Sequence, residues 1–223
     1  MVERTPRSAG ADRVAQIRER LFTSVIGDVM DRQGLRQQFL PPHIRALSPE
    51  MKLVGRAMPV REEDCTSQGD FGLMFKALDD LQKGEVYICT GASPRYALWG
   101  ELMSTRARAL GAAGAVVDGF HRDTSGILEV GLPVFSAGSY AQDQRGRGRV
   151  TDFRREIRFA NGTIVAPGDI IVGDRDGVLV IPKAHLDKVV EAAIVKVEGE
   201  EEVRRLIEKG EGTQAIFDRT GIM

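Results

Sequence analysis

An arginine and an aspartate stand side by side at the end of a short apolar segment, GAVVDGFHRD. Arg122 can grip a carboxylate through the planar fork of its guanidinium group. Asp123 offers hard oxygen ligands, and Mg²⁺ or Mn²⁺ typically takes one or two protein carboxylates and keeps several waters. The pair therefore suits a 2-oxo acid bound at a divalent cation. The alternative is a salt-bridged strand end with no catalytic role.

A second set of candidates, Gly100, Glu101, Leu102 and Met103, lies where the sequence predicts the start of a helix. The first N–H groups of a helix have no partner inside it, and the helix dipole favours an anion there. This segment therefore predicts a cradle for a substrate carboxylate or oxyanion. Glu101 could orient a metal-bound water or act as a general base, or it could be an ordinary first-turn charge.

The predicted elements explain how these two groups of residues could meet. EVYICTG predicts a strand, LWGELMSTRARALGAAG a loop followed by a helix, and GAVVDGF a second strand. A strand, helix, strand order predicts a right-handed parallel crossover. Gly100 and the His121-Arg122-Asp123 tripeptide would then share the carboxyl-end edge of the sheet, where open α/β sheets bind ligands.

The remaining pattern predicts the frame around this crossover. We expect a flexible arm over residues 1–12 and a single domain over residues 13–223. The predicted elements are two consecutive helices over residues 12–34, a strand at LVGRAMPVR with a bulge or close backbone approach at Gly55, a helix near residues 71–81, hairpins at Asn161-Gly162 and Asp176-Gly177, and a long C-terminal helix over about residues 183–210.

Composition limits the classes of function. The 223 residues carry 31 Lys and Arg against 32 Asp and Glu, which argues against a general nucleic-acid binder. The first fifteen residues contain no apolar run, so we expect neither a signal peptide nor a membrane span, and a cytoplasmic protein. Two cysteines and three scattered histidines predict no disulfide framework, zinc site or Ser-His-Asp triad. Any metal would be held by oxygen.

Three other features are weaker candidates. His121 could shuttle protons, although a histidine fixed by local packing or simply exposed is the better interpretation. The loop QRGRGR could touch RNA phosphates, but it lacks interleaved aromatic residues. Asp174 and Asp176 form a carboxylate-rich pair, but they belong to DRDG, a sequence typical of a turn. No G-x-G-x-x-G or P-loop is present, so a nucleotide cofactor is not indicated.

Several segments together resemble the RraA-like family, which includes 4-hydroxy-4-methyl-2-oxoglutarate and 4-carboxy-4-hydroxy-2-oxoadipate aldolases and the regulator of ribonuclease E activity. They are TSVIGDVMD, LVGRAMPV, WGELMSTRARALGAAGAVVDGFHRDTSGI, LPVFSAG and GDIIVGDRDGVLVIP, and the resemblance covers roughly residues 20–212. It implies an α/β fold, a β/β/α swivelling-type sandwich with N-terminal helices and a long C-terminal helix, assembled as trimers or hexamers.

The resemblance also implies roles for individual residues. Gly100 to Met103 match the segment that binds pyruvate through backbone amides, Arg122 matches the substrate-binding arginine, and Asp123 matches the metal ligand. The family's aldolases commonly have Asp where Glu101 stands, so this side chain is longer by one methylene. An acidic residue from a neighbouring subunit's C-terminal helix is expected near the metal, and the candidates are Glu198, Glu200, Glu201 and Glu202.

Two functions from different classes follow. The first is a metal-dependent class II pyruvate aldolase that cleaves a 4-hydroxy-2-oxo acid, with oxaloacetate decarboxylase activity and Mg²⁺ or Mn²⁺ as cofactor. The second is a non-catalytic regulator that binds a ribonuclease or helicase. A related lyase or hydratase acting on a sugar-derived or aromatic-catabolic oxo acid also fits. The sequence leaves open the natural substrate, its stereochemistry and the choice between trimer and hexamer.

Overall fold

The computed structural model describes residues 9–66 and 70–222, with side chains from residue 13 onward. Within these residues lie the helices α1 (Ala9–Arg20), α2 (Thr23–Arg32), α3 (Met74–Asp79), α4 (Glu101–Ala109), α5 (Thr124–Val130), α6 (Leu186–Glu208) and α7 (Thr213–Thr220). The strands are β1 (Arg45–Ala46), β2 (Leu53–Asp64), β3 (Glu85–Thr90), β4 (Ala97–Trp99), β5 (Gly114–Val117), β6 (Phe120–His121), β7 (Val134–Ser136), β8 (Gly148–Phe153), β9 (Ile157–Arg158), β10 (Ile164–Val165), β11 (Ile170–Asp174) and β12 (Gly177–Ile181).

The main sheet is mixed and runs in the order β1, β7, β5, β3, β2, β11, β12, with β8 also paired to β2. The pairs β2 with β3, β3 with β5, and β5 with β7 are parallel, as the predicted crossover requires. The hairpins at Asn161-Gly162 and Asp176-Gly177 are both present, as β9 with β10 and β11 with β12. The mixed α/β fold and the long C-terminal helix are thus confirmed.

The proline-stiffened segment before β1 brings the two ends of the sheet together. Leu40 donates its backbone N–H to the Val178 carbonyl at 2.9 Å, and Val180 donates to the Gln38 carbonyl at 2.9 Å. A few residues later the same segment forms β1, which pairs with β7 at the opposite edge. The sheet is therefore nearly closed, and few backbone groups are left unpaired along its edges.

Side chains alternate along the strands and so fill three separate cores. On β3, Val86 and Ile88 point into the interior of the curled sheet, whereas Tyr87 and Cys89 point to the face covered by α3, α4 and α5. A third cluster packs α1, α2 and α6 against β11 and β12. The sheet is therefore buried on both faces, and helices α4 and α5 pack on one of these faces.

Several boundaries differ from those expected from the sequence. Helix α1 begins at Ala9, so residues 9–12, expected in the arm, are its first turn, and residues 1–8 lie outside the described residues. Helix α3 begins at Met74 and not near residue 71, because Gly72 pairs with β8 first. Helix α7 follows the C-terminal helix, and no pattern had indicated it. No helix of the described chain is long and apolar enough to cross a membrane.

Gly55 allows the close backbone approach that its position in an apolar strand had suggested. A Cβ at this position would lie 2.7 Å from the Ala113 Cβ and 2.8 Å from the Gly84 carbonyl oxygen. Real Cβ atoms do not approach that closely, so any side chain here would push β2 away from the turn before β3. The central parallel pair of the sheet therefore depends on this glycine.

Gly55→Ala is expected to lower the free energy of unfolding by about 1–3 kcal/mol, the usual cost of overpacking a core. Gly212→Ala is the matched control, because no described atom lies within 4 Å of the Cβ it would add. Urea unfolding followed by circular dichroism measures both variants. Equal stability of the two variants would contradict the close packing at Gly55.

Candidate functional site

A short parallel pair of strands joins the two candidate segments. Strand β4 ends at Trp99, strand β6 ends at His121, and the two are paired next to each other. Just beyond them, Arg122 donates its backbone N–H to the Trp99 carbonyl at 2.9 Å. The start of α4 and the Arg122-Asp123 dipeptide are therefore held side by side, as the crossover predicted.

The start of α4 presents unpaired backbone donors. Gly100 is the N-cap in an extended conformation (φ −153°), and among the described residues no side chain caps this end of the helix. The first helical hydrogen bond runs from the Ser104 N–H to the Gly100 carbonyl at 3.1 Å, so the N–H groups of Glu101, Leu102 and Met103 come before it. A Cβ on Gly100 would lie 2.8 Å from Asp123 Oδ2, so any larger residue here would have to displace the Asp123 carboxylate.

Asp123 has an unusual backbone conformation at the start of α5. Its φ of 58° and ψ of 42° are left-handed, a region that aspartate tolerates better than most residues but still at a cost in energy. Its carbonyl accepts a hydrogen bond from the Ile127 N–H at 3.0 Å, which fixes the turn. The strained turn leaves the carboxylate beside Gly100, with 45% of the side chain exposed.

Arg122 lies between two carboxylates. Its Nε is 3.6 Å from Asp123 Oδ2, and its Nη2 is 3.8 Å from Asp143 Oδ1. At these distances the contacts are longer than bidentate ion pairs, so the guanidinium N–H groups remain free to hold an anionic ligand. The structure thus adds Asp143, from the loop before β8, to the residues expected from the sequence.

These residues surround one cavity of about 230 Å³. Its wall combines a polar end with a larger apolar end. The lining residues are Phe71, Met74, Phe75, Ala97, Leu98, Trp99, Gly100, Leu102, Met103, Arg122, Asp123, Asp143 and Gln144. Five of the six site residues expected from the sequence are in this wall, and Glu101 is the exception.

The Glu101 side chain instead lies over helix α5. A Cβ on Gly126 would be only 2.5 Å from Glu101 Oε2 and 2.6 Å from its Cδ. Gly126 therefore provides the space that the Glu101 carboxylate occupies. Because Glu101 is the first residue of α4, rotation about its own side-chain bonds would be needed to bring the carboxylate towards the cavity.

The oxygen donors at the polar end fit a lightly held divalent cation. Among the described residues, no three or more His, Cys, Asp and Glu side chains cluster as a metal-binding group. Asp123 and Asp143 nevertheless each bring a carboxylate oxygen within 4 Å of the Arg122 guanidinium and line the same cavity. Mg²⁺ is typically bound by one or two carboxylates, with substrate oxygens and waters as its other ligands. The donor set suits such an ion and does not form a closed structural metal site.

His121 is held by packing and hydrogen bonds. Its Nδ1 lies 2.7 Å from Ser136 Oγ and its Nε2 lies 3.1 Å from Thr124 Oγ1, so both ring nitrogens have hydroxyl partners. Burial lowers the pKa of the imidazole. These contacts tie β6 to β7 and to the start of α5, which supports the packing interpretation of this residue.

The glutamates of the C-terminal helix have partners on their own chain. Glu198 pairs with Arg20 at 2.7 Å, and Glu200 pairs with Lys196, which also contacts Asp28 at 3.1 Å. Glu201 and Glu202 lie within 4 Å of basic side chains one turn along α6. All four glutamates therefore take part in ion pairs within this chain.

Sequence reasoning missed the apolar part of the cavity. Met74 and Phe75 come from α3, and Phe71 lies just before it in the segment that pairs with β8. Their spacing is that of an ordinary amphipathic helix, so nothing in the pattern separated cavity-lining from core positions. Asp143 directly precedes the QRGRGR segment, where the basic residues had drawn attention to RNA.

Comparison with known proteins supports one family. The family model described as RraA-like, Aldolase/RraA, matches residues 23–180. A "putative 4-hydroxy-4-methyl-2-oxoglutarate aldolase" of Halalkalibacterium halodurans is 32% identical over 204 residues, covering 89% of this chain and 90% of that protein. Protein DlpA of Legionella pneumophila is 31% identical over 188 residues, covering 83% of this chain but only 30% of DlpA.

A solved structure shows the same fold. Streptomyces coelicolor RraAS2, described as an unusual member of the RNase ES inhibitor RraA protein family, superposes with a TM-score of 0.77. The match covers 91% of this chain and 99% of RraAS2, at 23% sequence identity. The two proteins are named for different activities, and the likeness to RraAS2 is one of fold.

A buried carboxyl group lies on β2, in the sheet behind the site. Glu62 is fully buried, and neither of its carboxylate oxygens has a hydrogen-bond partner in the described structure. Burial raises the pKa of Glu62 to about 8. The carboxyl group is therefore mostly protonated at neutral pH, although the same group in an unfolded chain ionises near 4.5.

Because the folded pKa is above the unfolded one, the unfolded chain loses this proton first, and Glu62 makes stability fall as pH rises from about 4.5 to 8. We expect Glu62→Gln to change Tm little at pH 5 and to raise it by several degrees at pH 8. Thermal unfolding at the two pH values, with the half-exposed neighbour Glu63→Gln as control, tests this. An equal shift at both pH values would contradict the assignment.

Proposed function

The chain belongs to the RraA-like family (Aldolase/RraA), and we propose that it is a divalent-metal-dependent carbon–carbon lyase. The reaction is cleavage of a 4-hydroxy-2-oxo acid to pyruvate and a second oxo compound, and the same site decarboxylates oxaloacetate. The observation that carries this proposal is the convergence of Arg122, Asp123 and the free amides at the start of α4 on one cavity. A trimer or hexamer is part of the proposal.

The α4 amides are the proposed site for the carboxylate of the substrate. Leu102 and Met103 line the cavity, and their N–H groups belong to the uncapped first turn of the helix. The partial positive charge of the helix start favours an anion at this point. Binding here places the adjacent 2-oxo group towards Arg122 and Asp123.

Arg122 is the proposed electrophilic residue. In both reactions the bond between C3 and C4 breaks, and its electron pair moves towards the 2-oxo group. Negative charge therefore develops on the enolate oxygen. A guanidinium fixed beside that oxygen stabilises the charge without reorganising at the moment of reaction. A divalent cation, which Asp123 and Asp143 would hold, supplies Lewis-acid polarisation of the same 2-oxo group.

Glu101 is the proposed proton carrier for the aldol reaction. Cleavage between C3 and C4 requires loss of the C4 hydroxyl proton, and the resulting pyruvate enolate must gain a proton at C3. Glu101 can take the first proton, through a water, and return it in the second step. Decarboxylation of oxaloacetate has no hydroxyl proton to remove: the bond between C3 and C4 breaks, CO₂ leaves, and the enolate needs only a proton at C3, which water can supply.

A non-catalytic regulator that binds a ribonuclease or helicase is the second candidate. It is favoured by the likeness in fold to RraAS2, whose description names it within an RNase ES inhibitor family. Such a protein needs the surface of the fold and no working metal site. Full retention of ribonuclease binding in Arg122→Ala, together with silence in the pyruvate assay below, would favour this function.

Asp123→Asn and Arg122→Lys are each expected to lower the rate of pyruvate release by about 100-fold or more. The first variant loses a charged oxygen ligand, and the second loses the planar guanidinium group. Pyruvate is measured with lactate dehydrogenase from oxaloacetate and from 4-hydroxy-2-oxo diacids, with Mg²⁺, Mn²⁺ or chelator. Asp218→Asn is the control, since this exposed aspartate lies on α7 and outside the cavity wall. Full activity of Asp123→Asn in chelator would overturn the lyase proposal.

Glu101→Gln separates the two reactions. It is expected to reduce kcat for aldol cleavage by about 100-fold, the usual scale of general-base catalysis, and to reduce oxaloacetate decarboxylation much less. Glu101→Asp keeps the carboxylate and is expected to retain aldol cleavage within about tenfold. Equal losses in both reactions for Glu101→Gln would show that Glu101 does not act on the C4 hydroxyl.

A further inference from the structure

The apolar end of the cavity indicates which kind of substrate it accepts. We propose, resting on the lyase function above, that the C4 substituent of the substrate is an aryl or alkyl group and not a second carboxylate. The product released beside pyruvate would then be an apolar aldehyde or ketone. Phe75 is the proposed specificity-determining residue.

The wall that faces away from the polar end is built from large apolar side chains. Phe71 and Phe75 meet edge to face, with ring centroids 5.4 Å apart and planes at 67°. Met74, Leu98 and Leu102 also line the cavity, and the Gln144 amide donates to Met74 Sδ at 2.8 Å. Burial of an aryl or alkyl group against such a surface is favourable, whereas a carboxylate placed there loses its hydration without gaining a charged partner.

The exposure of two of these side chains supports the same conclusion. Phe75 is 58% exposed and Leu102 is 81% exposed, although both border the cavity. Large apolar side chains exposed beside a concave site with a few convergent polar groups are typical of ligand-binding pockets. Part of their apolar surface would be removed from water when an apolar substituent binds.

Trp99 provides a binding signal that is independent of turnover. It is the only tryptophan of the chain, it is buried, and it lines the cavity. Two unreactive 2-oxo acids form a matched pair of probes: 2-oxo-4-phenylbutanoate and 2-oxoglutarate differ only in carrying a phenyl group or a carboxylate on C4. Quenching of Trp99 fluorescence, excited at 295 nm in the presence of Mg²⁺, gives Kd for each probe and for pyruvate.

We expect 2-oxo-4-phenylbutanoate to bind at least about tenfold more tightly than 2-oxoglutarate. Phe75→Arg is expected to reverse or abolish this preference, because it places a cation at the apolar end. Phe75→Leu, which keeps an apolar side chain, is expected to retain the preference. Since Phe75 is largely exposed, both variants should fold, and circular dichroism confirms this before titration.

Pyruvate binding distinguishes failure of this inference from failure of the lyase proposal. If pyruvate binds and Arg122→Ala abolishes its binding, but 2-oxoglutarate binds as tightly as the phenyl probe, the substrate inference is overturned and the lyase proposal stands. If neither pyruvate nor either probe binds to folded protein, both are overturned. An unchanged preference in Phe75→Arg would overturn the role of Phe75.

Discussion

The hydrogen bond from the Arg122 N–H to the Trp99 carbonyl, 2.9 Å long, holds the two halves of the candidate site together. It extends the pairing of β4 and β6 by one residue. At this point β4 leads into α4, and β6 leads into α5. At Gly100 the Asp123 carboxylate occupies space that a larger side chain would need. The left-handed backbone of Asp123 is the cost of this arrangement, and the nearly closed sheet beneath supports it.

Two kinds of surface meet in the cavity, and their contrast determines what it can do. At one end a single guanidinium lies between two carboxylates, too far from either to form a saturated ion pair. At the other end Phe71, Met74 and Phe75 line the same space with apolar surface. Electrostatic interactions strengthen where water is excluded, so an apolar substituent that fills this end would also strengthen the interaction of Arg122 with a developing enolate.

The sequence predicted the parallel crossover because its signals are local: two apolar strands, a helix between them and small residues at each turn. The hairpins at Asn161-Gly162 and Asp176-Gly177 were equally local, and both are present. The pairing of Gly72 with β8, which shortens α3, is a long-range contact with no signature in residues 71–81. For the same reason Asp143 was not recognised, since only the folded loop brings it to Arg122.

Glu101 shows why a correctly placed residue can still have an unexpected orientation. The crossover prediction put it at the first position of α4, and the structure agrees. Its extra methylene lets the carboxylate reach Gly126 on α5, where any larger residue would collide with it. An aspartate at position 101 would end one bond earlier and would reach less far over α5. In the proposed aldol cleavage, proton transfer by Glu101 would therefore require a change of rotamer of this exposed side chain, whereas the proposed decarboxylation would not depend on that change.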